Sequence, residues 1–273
     1  MKLPAIPIIS PKALNKYLSR KHAPITILGK TFTPEFSVGS KTLLKALGNQ
    51  PAMTIPERAK LKIRGNGAPN VDILVSGNSS LTGKKAAFFN GENSGNINLK
   101  EILGDFLNHK GTANIEKVGI DNATESGVST VGTVVQDNIT KGGISNVETV
   151  KGSNITAGGV SNIGTVAENN LTSNAGKSNV DIVGKNNSTV SKDSESNIGV
   201  VGHDNVTYKG ISKVTTVVRD NITKNGESHV GKIERDNITE GGVSLYGEVN
   251  GENVVKEGGK AFQIDKYKLQ TTI

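Results

Sequence analysis

An Asn-x-Thr triplet returns through the C-terminal half of this 273-residue chain at nearly constant spacing. Most copies are sixteen residues apart, and two intervals stretch to seventeen and eighteen. The nine copies begin at Asn122, Asn138, Asn154, Asn170, Asn187, Asn205, Asn221, Asn237 and Asn253, the last reading Asn-Val-Val. Such a period predicts one small structural unit per copy, each stacked on its neighbours.

Within each copy, counted from its asparagine as position 0, aliphatic residues favour positions 1, 6, 9 and 12. A polar-apolar-polar triplet predicts a short strand, with the aliphatic residue inward and Asn and Thr outward. Glycine pairs such as Gly142-Gly143 fall between positions 1 and 6, where a tight turn needs positive φ. The predicted core columns are Ile139, Ile144, Val147, Val150, Ile155, Val160, Ile163, Val166, Ile222 and Ile238. The predicted outward ranks are Asn138, Thr140, Asn154, Thr156, Asn221, Thr223, Asn237 and Thr239.

The sequence therefore predicts a mainly β fold, a parallel β-solenoid or β-helix with 16-residue coils, preceded by a small basic region with short helices. Helical repeats are disfavoured because they are longer and poorer in glycine, asparagine and threonine. Four segments follow: 1–60, an N-terminal arm and attachment region; 61–121, a transition with degenerate coils and a helical excursion near 99–109; 122–264, the regular solenoid; and 265–273, a cap or tail. Prolines at 4, 7 and 11 favour an extended arm, and Ser10-Pro11 and Ser40 favour helix starts.

Charge separates the first segment from the rest of the chain. Residues 1–64 hold twelve lysines and arginines against two acids, +10, whereas the remainder holds twenty against twenty-three, −3. The predicted attachment residues are Lys12, Lys16, Arg20, Lys21, Lys41, Lys45, Arg58 and Arg64. Few aromatic residues accompany them, so an acidic protein surface is favoured over nucleic acid as their partner.

No motif predicts catalysis, a metal site or a cofactor. The four histidines lack metal-ligand spacing, and no nucleophile, phosphate-loop or dinucleotide pattern occurs. Aspartates precede the triplet in several copies, and a column of calcium ligands is one interpretation of them. A solvated polar corner of the coil is the favoured interpretation. The Asn-x-Thr acceptor pattern is expected to be a by-product of strand geometry. Neither a membrane span nor a secretion signal is predicted, and aromatic residues at 4% argue for a thin core.

The layout resembles fibre and spike proteins of bacteriophage virions. The likeness is one of architecture, carried by the proline-bearing arm at 1–11 and the coils at 122–264, with no motif matched residue by residue. It implies a non-enzymatic virion component, commonly a homotrimer, which binds capsid or tail proteins through its N-terminal region and a host-surface glycan through its shaft. Two alternatives stay open: a bacterial adhesin at the cell surface or outside it, and an ice-binding solenoid that uses the outward Asn and Thr ranks.

Overall fold

The chain folds as a parallel β-solenoid, as the repeat predicts. The structure is a computed structural model that describes residues 25–27, 30–32, 35–39, 41, 52–55, 60–68, 70–77 and 79–264. The chain divides into two compact units, Met1–Gly132 and Thr133–Ile273. Apart from a short antiparallel pairing of β1 (Ile25–Ile27) with β2 (Lys30–Phe32), the sheets are parallel, and each coil pairs with the next.

The strands alternate between short and long members. The first unit contains β3 (Glu35–Gly39), β4 (Ala52–Ile55), β5 (Lys60–Arg64), β6 (Gly67–Ala68), β7 (Asp72–Val75), β8 (Ser80–Phe88), β9 (Gly91–Asn93), β10 (Asn96–Ile102), β11 (Phe106–Asn108), β12 (Thr112–Val118) and β13 (Asn122–Thr124), and β14 (Val128–Val134) crosses the boundary. The second unit contains β15 (Asn138–Lys141), β16 (Ile144–Val150), β17 (Asn154–Ala157), β18 (Val160–Val166), β19 (Asn170–Ser173), β20 (Lys177–Val183), β21 (Asn187–Val190), β22 (Glu195–Val201), β23 (Asn205–Tyr208), β24 (Ile211–Val217), β25 (Asn221–Lys224), β26 (Glu227–Ile233), β27 (Asn237–Glu240), β28 (Val243–Val249), β29 (Asn253–Lys256) and β30 (Lys260–Gln263).

The second unit consists of eight coils, of which the first seven have one short and one long strand and the last has two strands of four residues. The short strands pair in register, so that Asn154 lies against Asn138 on one side and Asn170 on the other. The two longer intervals place their extra residues in the turn between short and long strand. Asn174 and Ala175 adopt positive φ in one such turn, and Ser191 and Asp193 in the next. Both insertions therefore leave the pairing of the strands unchanged.

The helical excursion predicted near 99–109 is wrong. This segment forms β10 and β11, and β10 pairs in parallel with both β8 and β12. Leu99, Ile102 and Phe106 imitate a helical spacing because they occupy positions 9, 12 and 0 of a coil, and all three are buried. Pairing with neighbours on both sides outweighs the weak local preference for helix.

Strand pairing also begins earlier than predicted. β3 pairs with β5 and β4 pairs with β7, so part of the predicted attachment region belongs to the stacked coils of the first unit. The helix predicted from Ser10 lies outside the described residues, as does the 265–273 cap. Of the helix predicted from Ser40, only Lys41 is described, and it is helical.

The core has an apolar half and a polar half, and the prediction was correct only for the apolar one. Positions 9 and 12 are buried as predicted: Val147 and Ile163 are 4% exposed, and Val150 and Val166 are fully buried. The triplet is inverted, because its asparagine and threonine point inward. All eight predicted outward residues are 0% exposed: Asn138, Thr140, Asn154, Thr156, Asn221, Thr223, Asn237 and Thr239.

The residues predicted to fill this part of the core lie on the outside instead. Ile144 is 40% exposed, and the others are partly exposed: Ile139, Ile155, Val160, Ile222 and Ile238. A three-residue strand alternates equally well with either face inward, so the inversion needs a physical reason. That reason is hydrogen bonding between identical side chains on successive coils, which removes the usual cost of burying polar groups.

Candidate functional site

The inward asparagines of the second unit form one continuous ladder of side-chain amides. Each Nδ2 donates to the Oδ1 of the asparagine in the next coil, at 2.8 Å from Asn138 to Asn154 and 2.7 Å from Asn154 to Asn170. Five further bonds of 2.7–2.8 Å continue the ladder through Asn187, Asn205, Asn221 and Asn237 to Asn253, which is exposed in the last coil. Each donor faces an acceptor, so the ladder has a fixed direction along the stack.

Serine hydroxyls from the long strands complete this network. Ser145 donates to Oδ1 of Asn138 at 2.8 Å, and Ser228 donates to Oδ1 of Asn221 at 2.9 Å. In the second and fourth coils a serine instead bridges threonines: Ser161 accepts from Thr156 at 2.8 Å, and Ser196 accepts from Thr189 at 2.9 Å. The hydrogen bonds join the short-strand and long-strand sheets through the middle of the coil. The interior hydrogen bonds therefore hold successive coils in register, and the polar groups that form them are inaccessible to solvent.

Three buried threonine hydroxyls near the C-terminal end have no hydrogen-bond partner among the described residues, those of Thr207, Thr223 and Thr239. Their serine neighbours bond to asparagine, which leaves the threonine oxygens unsatisfied. The next residue of the same column is Val255, which offers no hydroxyl.

We expect opposite effects from the same substitution at two equivalent threonines. Thr223→Val removes an unsatisfied buried hydroxyl at nearly constant volume and should stabilise the fold by about 1 kcal/mol. Thr156→Val breaks the bond to Ser161 and the contact with Asn154 Nδ2 at 3.1 Å, and should cost about 1–3 kcal/mol. Urea denaturation measures both. Equal losses in the two variants would contradict the difference in hydrogen bonding.

The aspartates that precede the triplet bind backbone, which supports the polar-corner interpretation over the calcium ladder. Asp204 Oδ1 accepts from the backbone N–H of Asp220 at 3.2 Å, and Asp220 Oδ1 accepts from that of Asp236 at 3.1 Å. Asn186 does the same for Asp204 at 3.1 Å. Among the described residues, no group of three or more His, Cys, Asp or Glu side chains is placed to hold a metal ion.

The outer face of the long strands carries coil-to-coil polar contacts. Exposed Asn162 donates to Asn146 at 2.8 Å and accepts from Asn179 at 2.7 Å, so a second, solvent-facing amide ladder runs there.

Glu195 pairs with Lys177 at 3.2 Å and Lys213 at 3.3 Å. Partial burial alone would raise the pKa of Glu195, but hydrogen bonds and attraction from both lysines hold it below its usual value.

We expect Glu195→Gln to lower stability in a pH-dependent way. Because the folded-state pKa of Glu195 is depressed, its contribution is present above the unfolded pKa and is lost as pH falls through the folded value. The melting temperature of the variant should thus lie below that of the parent at pH 7, and the two should converge as pH falls below the folded-state pKa of Glu195. Melting curves across this range test it, and a constant difference at all pH values would contradict it.

Only two of the eight predicted attachment residues are described. Lys41 is exposed, and Arg64 is exposed at the end of β5, where it alternates with buried Ile63. Lys60 and Lys62 lie on the same outer face as Arg64, so three cations follow one strand. The other six lie outside the described residues: Lys12, Lys16, Arg20, Lys21, Lys45 and Arg58.

The burial of the triplet bears on two interpretations of the sequence, that of Asn-x-Thr as a glycosylation acceptor and that of the Asn and Thr ranks as an ice-binding surface. The Asn-x-Thr acceptors in strands β15 to β27 have fully buried asparagines, so their amides are closed to modification in the folded chain. The flat outward array of Asn and Thr that ice binding required does not exist, because both ranks line the interior.

Among the described residues, no helix has both the length and the apolar character of a membrane span.

Comparison of the chain with protein-family models, with curated proteins and with solved structures found no match.

Proposed function

We propose that the chain is a non-enzymatic structural component of a virion, anchored through its basic N-terminal region. Its stacked coils act as a stiff spacer that presents their outer faces to partner proteins or to a host surface. The observation that carries this proposal is the unbroken amide ladder of the second unit, which commits the interior of eight coils to mutual support. Stability that accumulates coil by coil suits spacing and display.

Two further features support the proposal. Many outer charged groups are engaged between coils, as in the contacts of Lys185 with Glu168 at 2.9 Å and Lys224 with Glu240 at 3.0 Å. The +10 charge of residues 1–64 is a means of attachment to an acidic assembly.

Fractionation of particles from the source culture tests the proposal. Culture lysate is separated on a density gradient, and the chain is followed by mass spectrometry together with capsid and tail proteins. Co-sedimentation with intact particles, lost in high salt as an electrostatic anchor requires, is the expected result. Recovery of the chain only as free protein or with cell envelopes would overturn it.

A further inference from the structure

The outer face of the short strands in the second unit carries a column of aliphatic side chains. Position 1 of the eight coils lies in parallel register along this face, with every member partly exposed: Ile139, Ile155, Leu171, Ser188, Val206, Ile222, Ile238 and Val254. Seven of the eight are branched aliphatics. A solvent-facing strand surface is ordinarily polar, and an exposed apolar stripe marks an interaction site.

The outer columns of the long strands differ in composition. The column that begins with Ile144 continues through Val160, Lys177 and Glu195, and it therefore includes charged residues. Several of these charges are already paired between coils, as Glu195 is with both Lys177 and Lys213. The uncharged stripe is thus a property of one face, not of the outer surface of the unit in general.

Charges of opposite sign border the stripe. On one side, position −1 holds acids in five of eight coils: Asp137, Asp204, Asp220, Asp236 and Glu252. On the other side, position 3 holds an acid in one coil, Glu240, and a lysine in three: Lys141, Lys224 and Lys256. Each of these lysines shares its coil with one of the acids, which gives the pairs Asp137 with Lys141, Asp220 with Lys224, and Glu252 with Lys256.

We propose that this face binds the same face of a second copy of the chain, with the two stacks side by side and pointing the same way. A two-fold axis parallel to the stack superposes position 1 on position 1 and places each position −1 opposite position 3 of the partner. Acid then meets lysine in three coils and acid in one, Asp236 opposite Glu240, while aliphatic meets aliphatic along the centre. One of the three acid–lysine pairs competes with contacts inside the chain, since Lys224 pairs with Glu240 at 3.0 Å and Asp220 with Arg235 at 3.6 Å. The antiparallel arrangement would form no acid–lysine pair, and it would place Asp137 opposite Glu252, which costs free energy.

The size of the face sets the strength of the contact. Eight coils at about 4.8 Å and five residues of strand give a face of roughly 35 by 13 Å. This is small for a specific interface, so the dimer should be weak and concentration-dependent. A two-fold pairing replaces the three-fold assembly implied by the resemblance to virion fibres, and it does not depend on a virion role.

Light scattering and sedimentation of the full chain test the pairing. We expect a monomer–dimer equilibrium in the micromolar range, and the double variant Ile155→Glu/Ile222→Glu should raise the Kd at least about tenfold. Ile182→Glu is the matched control, because Ile182 is 48% exposed on the long-strand side, and it should leave the Kd unchanged. Unchanged melting temperatures in all variants show that the fold is intact. A monomer at every concentration, a trimer, or equal effects of the two variants would overturn the proposal.

The direction of the pairing is tested by cross-linking. The chain has no cysteine, so any disulfide that forms must join introduced cysteines. Under oxidation by copper phenanthroline, Ile155→Cys should form a disulfide-linked dimer with itself, whereas Ile182→Cys should not. In an antiparallel pair residue 155 would instead approach residue 238. Cross-linking only in a mixture of Ile155→Cys and Ile238→Cys chains would therefore refute the parallel arrangement.

Discussion

Asn154→Asp should destabilise the second unit by at least about 3 kcal/mol at pH 7, although it exchanges only an amide for a carboxylate. Asn154 is fully buried, and its Nδ2 is the donor to Asn170 Oδ1 at 2.7 Å. A carboxylate there has no proton to donate, so two acceptors would face each other in a site without solvent. The cost is that of an unpaired buried charge together with a broken ladder.

The loss should depend on pH. Burial raises the pKa of the introduced carboxyl group above its unfolded value of about 3.9. The charge-related part of the loss is then absent below the unfolded pKa and grows as pH rises towards the folded pKa. Urea denaturation at pH 3.5 and pH 7 measures both parts. Asn162→Asp is the control, because Asn162 is exposed in the outer ladder, and it should cost less than about 1 kcal/mol. Similar losses at the two sites would contradict the inward ladder.

Gly159→Ala is expected to cost about 1–3 kcal/mol of stability. Gly159 belongs to a column of turn residues that continues through Gly176, Ser194, Gly210, Gly226 and Gly242, of which only Ser194 is not glycine. A methyl group at Gly159 would lie 2.7 Å from the carbonyl oxygen of Gly143 and 2.7 Å from Thr140 Cγ2. Both distances are below van der Waals contact, so two coils would have to separate locally.

Gly77→Ala is the matched control, because the nearest atom to its added methyl group is Ser94 O at 3.9 Å. Denaturation should place this variant within about 0.5 kcal/mol of the parent. If both alanine variants unfold at the parent's urea concentration, the close stacking of coils at Gly159 is refuted.

The fold class follows from the sequence because the period is explicit, and the buried aliphatics at positions 9 and 12 follow because hydrophobic burial places them. The sequence does not predict which side of the triplet points inward. Alternation over three residues allows either side to be buried, and hydrophobicity favours burial of position 1, which lies on the outside. The sequence contains a better signal for which residues of the triplet point inward. Position 0 is asparagine in all nine copies, whereas position 1 ranges from Ala123 through Ile139 to Ser188. A core column rarely varies so widely in volume, while an amide ladder needs the same residue in every coil.

The outer surface was harder to predict for the same reason. Once Ile155 and Ile222 are assigned to the core, no apolar stripe remains to be noticed on the outside. The segment at 99–109 shows a related limit, since an irregularity within β10 points both Leu99 and Ile102 inward although they are three residues apart, which is a helical spacing. Only pairing with neighbouring coils distinguishes the two structures, and that information is not local.

Hydrogen exchange of asparagine side-chain amides, followed by nuclear magnetic resonance, tests the inward polar ladder most directly. Asn154 and Asn162 lie in adjacent strands, one fully buried and the other exposed, so each molecule contains its own control. We predict that the Nδ2 protons of Asn154 and the other fully buried ladder residues, Asn138 to Asn237, exchange orders of magnitude more slowly than those of Asn162. Exchange of Asn154 at the rate of a free side-chain amide, with Asn162 equally fast, would contradict the buried ladder.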